Sequence, residues 1–243
     1  MKIIRYNYQG EIFYGKLEGR VIKPLRGNIF EEFEVTDNKI ELEKVKVLPP
    51  CKPGKIVGIG LNYHDTAEKM NLVKPDEPII FLKAPTTVIG PDDDIIFPSW
   101  INELAYEVEL AVIIGRKGRN ILSKDALDYV LGYTAANDIT VRDYMKPGKP
   151  WAAAKSLDTS TPLGPVIETD ILPDDLNLKL YVNDILKQDG STKDMIFNVE
   201  QIISFVSTIM TLEPGDVILS GTPYGGGLLN RGDIVKIEVE GIG

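Results

Sequence analysis

Apolar residues along the chain fall mostly into short runs, alternating with polar positions or unbroken, and separated by Gly, Pro and Asp turns. "KIVGIGLNY", "IIFLKAPTTVIG", "YEVELAVIIG", "GYTAANDIT", "LGPVIET", "LNLKLYVNDI", "DVILSG" and "DIVKIEVEG" each have the length and period of a strand. Ahead of them, "MKIIRYNYQGEIFYGKLEGRVIKPL" reads as a small antiparallel meander that the Pro-rich "KVKVLPPCKPGK" closes. This divides the chain into a small β-rich N-terminal domain over residues 1–50 and a main domain over 51–243. A helical period appears in "SKDALDYVLG", with Ser123 as N-cap and Gly132 past its end, and in "NVEQIISFVSTIMTL". In the second, Asn198 and Gln201 form a capping box, and Val199, Ile202, Ile203, Val206, Ile209 and Met210 make one apolar stripe for the core. Without regular strand–helix alternation the fold class is α+β and β-rich, and a doubly wound nucleotide fold is disfavoured.

One strand carries an anomaly. In "AYEVELAVIIG", residues 105–115, alternation turns Glu107 and Glu109 to one face, roughly 7 Å apart, with Ala111 and Ile113 continuing that face. Tyr106, Val108, Leu110, Val112 and Ile114 share the other. Two carboxylates confined in low dielectric repel each other and resist losing water. A hard divalent ion would compensate them, but so would facing lysines or a solvated strand edge, and the spacing leaves these open.

Length and composition narrow the setting. With 243 residues, 43% of them apolar, the chain can bury a large core. A net charge of −9 and the lack of a basic block argue against a nucleic-acid partner. Charges interrupt the N-terminus and no apolar stretch approaches membrane length, so a cytoplasmic protein without a membrane partner is expected. Cys51 is the single cysteine, which excludes an internal disulfide and reads as structural. "GIGLNY" is a lone G-x-G without the third glycine of a dinucleotide site, and "SGTPYGGG" lacks the Lys-Ser/Thr of a phosphate loop. The glycines of the latter would let backbone amides and the Thr222 hydroxyl approach a small anion, or simply make a tight turn.

Taken in order, "GIGLNY", "PIIFLKAPTTVIGP", "YEVELAVIIG", "NDITVRDYM", "KSLDTSTPLGP" and "GDVILSGTPYGGG" resemble the fumarylacetoacetate hydrolase family over roughly residues 55–243. The first fifty residues are similar to the small N-terminal domain that many members carry. The resemblance implies a mixed β-roll or β-sandwich catalytic domain, a homodimer, and one Mg²⁺, with Mn²⁺ or Ca²⁺ equally suited to oxygen ligands. It assigns Glu107, Glu109 and Asp138 to the metal, Asp138 otherwise reading as a turn residue. It places Lys155 against a small-molecule 2-oxo acid substrate, to stabilise enolate charge and, if its pKa is lowered, to shuttle a proton. Arg142 and Thr222 line the substrate carboxylate, and specificity falls to the lid, Gln188 and the "YGGG" loop.

The lid departs from the family pattern. Many members carry N-Y-x-x-H-x-x-E, whose His-Glu pair handles a water or a proton; here "NYHDTAEKM" puts Thr66 and Lys69 at those positions. His64, the only histidine, and Glu68 at i+4 are either a shifted catalytic pair or exposed lid residues. Enolate chemistry asks less of the lid than hydrolysis does. The expectation is therefore a metal-dependent isomerase, tautomerase or decarboxylase, such as a 2-hydroxyhepta-2,4-diene-1,7-dioate isomerase, ahead of an acylpyruvate-type C–C hydrolase. A non-catalytic homologue that binds metal and 2-oxo acid is the alternative of another class. The chain ends at "GIG", where the resemblance implies a further strand.

Overall fold

Strand Val108–Ile114 lies at the centre of the fold, with every residue buried. It pairs antiparallel with Val130–Asn137 on one side and Val217–Leu219 on the other. Its alternating faces feed two separate cores: Val108, Leu110, Val112 and Ile114 enter the larger, Ala111 and Ile113 the smaller. A strand covered on both faces has no side left for polar residues, which explains the unbroken apolar run after Glu109.

The computed structural model describes all of residues 1–243. In the main sheet, strands lie in the order Phe33–Val35, Val21–Gly27, Glu11–Glu18, Lys2–Tyr8, Thr161–Glu168, Val130–Asn137, Val108–Ile114, Val217–Leu219, Ile56–Gly60, Ile79–Lys83. Ile56–Gly60 runs parallel to Val217–Leu219, so the sheet is mixed. The N-terminal meander forms as the sequence suggests, but it is no separate sheet: Lys2 and Ile3 pair with Glu168 and Ile167 of strand Thr161–Glu168. Two three-stranded sheets complete the β-structure. Ile185–Ser191, Asn177–Val182 and Val235–Val239 form one; Thr140–Val141, Leu104–Tyr106 and Gly227–Leu229 form the other.

Helix Val199–Ile209 has the full capping box, with the Asn198 side chain accepting from the Gln201 N–H and the Gln201 side chain accepting from the Asn198 N–H. Val199, Ile202, Ile203 and Val206 are buried and Met210 packs partly buried against the same core, but Ile209 is 53% exposed and leaves the apolar stripe. The other expected helix is corrected. Ser123–Tyr129 forms 3-10 turns that start after Leu122 with no side-chain cap, and Gly132 lies inside strand Val130–Asn137. Only Ala126 of that segment is buried, too little apolar face to hold an α-helix against the pull of the neighbouring strand. No helix is long and apolar enough to cross a membrane.

Candidate active site

The strand expected from residue 105 breaks at Glu107. Leu104–Tyr106 belongs to a small sheet and Val108–Ile114 to the main one, so Glu107 stands where the chain changes sheets. Its backbone is held on both sides. The Glu107 N–H donates to Asn137 Oδ1 at 3.0 Å, and its carbonyl accepts from the Asp138 N–H at 2.8 Å. Glu109, opposite Ala136, is still within the ladder, and Asp138 follows the last residue of strand Val130–Asn137. Three carboxylates, each able to offer an oxygen within 4.8 Å of the others, thus converge at one end of the central strand pair.

All three are buried, and their charges are compensated unequally. Asp138 accepts from Lys83 at 2.5 Å and from Lys155. Glu107 accepts from Lys155 at 2.7 Å and from Arg142 at 3.3 Å. Glu109 has no cation; its partner is the Gly221 N–H at 2.6 Å. Burial, reinforced by repulsion from Asp138, pushes the Glu109 carboxyl well above the usual range. Burial also acts on Asp138, but Lys155 and Lys83 outweigh it and hold that carboxyl low. For Lys155 burial pulls the pKa down while Asp138 and Glu107 more than reverse it, leaving a firmly held ammonium. Two carboxylates thus hold Lys155 as an ammonium, opposite to the lowered pKa that a proton shuttle requires.

A buried carboxylate without a cation, beside two others that share theirs, is a donor set suited to a hard divalent ion. The backbone geometry supports it. Gly221 has φ +97°, and a Cβ there would lie 2.8 Å from the Asn62 Cβ, so only glycine brings this N–H onto Glu109. Asn62 in turn donates to the Ser220 carbonyl at 2.8 Å and to the Phe197 carbonyl at 3.0 Å, pinning the "GIGLNY" loop to the "SGTP" loop. Gly60 of that motif gives room to Trp151, whose ring would lie 2.5 Å from a Cβ; the glycine serves side-chain packing.

The carboxylates open into a cavity of about 560 Å³, within the range of small-ligand sites. Lys155, at the end of the short helix Ala152–Lys155, and Arg142 also face it, as does Thr222. Gln188 does not. It is fully buried behind the wall, where its amide donates to the Thr222 hydroxyl at 2.9 Å and the Pro223 carbonyl at 2.8 Å, and its oxygen accepts from the Val108 N–H at 2.9 Å. The expectation that it binds substrate is corrected: with both N–H groups used, it positions Thr222 against the central strand.

His64 and Glu68 are also displaced from the chemistry. Both lie exposed on the short helix His64–Lys69, Glu68 pairs with Lys74 at 3.4 Å, and neither lines the cavity. Thr66 and Lys69, from the opposite side of that helix, do line it. Lys83 was not anticipated. It ends strand Ile79–Lys83, is buried, and also donates to the carbonyls of Ile139 and Ser160 at 3.2 and 3.0 Å. A lysine closing an apolar strand within "IIFLKAP" is the one signal that marks it. A larger cleft of about 980 Å³ lies among other residues, between Gly90–Phe97 and Leu229–Glu238, and contains none of the three carboxylates.

The family profile described as Fumarylacetoacetate (FAA) hydrolase C-terminal matches residues 55–243, and that described as Rv2993c-like, N-terminal matches residues 1–50. The chain belongs to the fumarylacetoacetate hydrolase family. Within this family it is 42% identical over 207 residues to the human mitochondrial oxaloacetate tautomerase FAHD2A, covering 80% of this chain and 66% of that protein. Among solved structures, a 2-hydroxyhepta-2,4-diene-1,7-dioate isomerase from Mycobacterium marinum superposes with a TM-score of 0.93 at 36% identity, covering 100% of this chain and 95% of the other. A fumarylacetoacetate hydrolase from Exiguobacterium antarcticum gives 0.91 at 36% identity, covering 100% and 96%. The fold is that of the family, β-rich with its N-terminal domain.

Proposed function

We propose that this protein is a divalent-metal-dependent enzyme that enolises 2-oxo carboxylic acids, working as a tautomerase or isomerase. The observation that carries the reading is the set of groups facing one cavity: a buried carboxylate triad beside the Lys155 ammonium and the Arg142 guanidinium. Glu107, Glu109 and Asp138 would hold the ion. When bound, such an ion polarises the 2-oxo group and makes a C3 proton acidic. Arg142, 35% exposed in its side chain and bonded to Glu107 by one nitrogen, has further N–H groups with which to grip the substrate carboxylate. Lys155, an ammonium in a water-poor position, stabilises negative charge developing on the 2-oxo oxygen.

Thr222 offers its hydroxyl from a loop that Gln188 keeps in place. The lid contributes no acid–base pair to the cavity: Thr66 and Lys69 stand where the family resemblance implies His and Glu in many members, and His64 and Glu68 lie exposed outside it. Aiming a water at a distal carbonyl needs a base positioned in the lid, whereas the C3 proton released on enolisation can pass to solvent water or hydroxide reaching the cavity, and this favours proton transfer over C–C hydrolysis. The relatives are named for both chemistries, an oxaloacetate tautomerase and a dioate isomerase on one side and a fumarylacetoacetate hydrolase on the other, so the preference rests on the lid. Loss of CO₂ from a substrate with a carboxylate on C3 would use the same enolate.

Proton NMR of oxaloacetate and pyruvate in D₂O with Mg²⁺ tests the reading. Wild type should exchange C3 protons for deuterium, and Glu109→Ala should not. Exchange that is absent while Mg²⁺ still binds would reduce the protein to a metal-binding homologue without turnover.

A further inference from the structure

We propose that Lys83 selects the size of the ion: by holding one oxygen of Asp138 it limits that carboxylate to a single bond with the metal, so that Mg²⁺ is preferred over Ca²⁺. The inference rests on the metal-dependent reading above and adds to it a residue that decides which ion is bound.

Lys83 is a fixed donor. Neither its side chain nor that of Asp138 has any exposed surface. A lysine ammonium has three N–H groups, and Lys83 spends them on Asp138 Oδ1 at 2.5 Å and on the carbonyls of Ser160 and Ile139 at 3.0 and 3.2 Å. The two carbonyls belong to one frame, because the Ile139 N–H itself donates to the Ser160 carbonyl at 3.0 Å. Lys83 therefore cannot follow Asp138 if the carboxylate turns. Lys155 differs: it bonds the second oxygens, Asp138 Oδ2 and Glu107 Oε2, and lines the cavity, so it has room to withdraw as an ion enters.

The other two carboxylates repeat the pattern. Glu109 Oε2 accepts from the Gly221 N–H at 2.6 Å, and Glu107 Oε1 accepts from Arg142 at 3.3 Å. Each carboxylate thus has one oxygen held by the protein and one left for an ion. Mg²⁺ takes a small octahedral shell and keeps several waters in it, a demand that single oxygens meet. Ca²⁺ takes a larger shell, about six to eight oxygens, and often gathers them through both oxygens of one carboxylate. At Asp138 it would have to share Oδ1 with a donor that does not move. Gly221 donates from the main chain and the Arg142 side chain is 35% exposed, so Lys83 is the buried side chain whose removal frees a carboxylate oxygen.

Calorimetric titration of the chelator-treated, full-length protein with Mg²⁺ and with Ca²⁺ tests this. Wild type should bind Mg²⁺ more tightly. Lys83→Met should shift the ratio of the two affinities toward Ca²⁺ by about tenfold, the lower end of what a partner behind a metal ligand contributes. A merely structural role would move both ions alike. Tighter binding of Ca²⁺ by wild type, or a ratio in Lys83→Met within about twofold of wild type, therefore overturns the role of Lys83 while leaving metal binding intact. Infrared difference spectra of wild type, metal-loaded minus metal-free, give a reading that does not depend on the variant folding. The separation between the asymmetric and symmetric carboxylate stretches narrows when a carboxylate binds an ion through both oxygens. It should stay wide in wild type with either ion, and narrow in Lys83→Met with Ca²⁺; narrowing in wild type overturns the proposal. Failure of both ions to bind removes the metal-dependent reading, and this proposal with it.

Discussion

Asp138 donates its backbone N–H to the carbonyl of Glu107 at 2.8 Å, and this one bond joins the ends of two strands into a single ligand set. Beside it the Asn137 side chain accepts from the Glu107 N–H at 3.0 Å. The main chain, not only the carboxylates, thus sets the spacing of the triad.

Asn137→Ala should loosen that spacing. It strands a buried N–H, at a cost of about 1–3 kcal/mol, and should weaken Mg²⁺ binding by roughly ten- to a hundredfold. Urea denaturation and metal titration check the two effects; a variant with unaltered metal affinity would show that the carboxylates position themselves.

Glu109→Gln separates the cost of this carboxyl from its use. The amide oxygen can still accept from Gly221, and no cation loses a partner, so the metal-free protein should melt at the same temperature as wild type or higher. Stabilisation by added Mg²⁺ should vanish, with affinity reduced by more than roughly a hundredfold, beyond typical outer-shell losses. Thermal melts with and without Mg²⁺ read both.

Lys155→Met should lower C3 proton exchange by roughly 10²- to 10³-fold, the scale of one group that stabilises a developing oxyanion. Because Glu107 and Asp138 lose a shared partner, the metal-free variant should also be destabilised, by about 3–5 kcal/mol, and Mg²⁺ should recover part of that loss. Exchange measured at saturating Mg²⁺ distinguishes lost chemistry from lost fold.

His64→Ala should leave C3 exchange within about twofold of wild type, since an exposed side chain outside the cavity contributes no positioned acid or base. A hundredfold loss, on the order of general acid–base catalysis, would return His64 to the mechanism.

Cys51 sets a limit on stability at high pH. Burial pushes its thiol from an ordinary 9.0 up to about 12. A pKa raised by folding means that the contribution is complete below pH 9 and declines as pH rises toward 12. Urea midpoints between pH 7.5 and 10.5 should fall more steeply in wild type than in Cys51→Ala. The native thiol should also resist a disulfide reagent at pH 8 and react once the chain is unfolded.

Much of the fold is legible in the sequence because strands announce themselves locally. The unbroken run after Glu109 marks a strand covered on both faces, and Asn198 with Gln201 marks a helix start, since each depends on neighbours a few residues away. The E-x-E pair and the motif order suffice to find Glu107, Glu109, Asp138, Lys155, Arg142 and Thr222, all of which face the cavity. Other features are decided only when distant segments meet. Ser123–Tyr129 has enough helical pattern to suggest a helix, but its packing makes it 3-10 turns. Gln188 turns from the substrate because Val108, Thr222 and Pro223 consume its hydrogen bonds.

Lys83 enters the site from a strand fifty-five residues before Asp138, a partnership that no local pattern encodes. The lid shows the same division most clearly. The sequence determines that Thr66 and Lys69 occupy the positions where the resemblance implies a His-Glu pair, while tertiary structure decides that these two face the cavity and that His64 and Glu68 face solvent. The reason is physical: a helix of six residues has no preferred rotation of its own, and the contacts of Asp65 and Thr66 with the 222–224 loop choose which side turns inward.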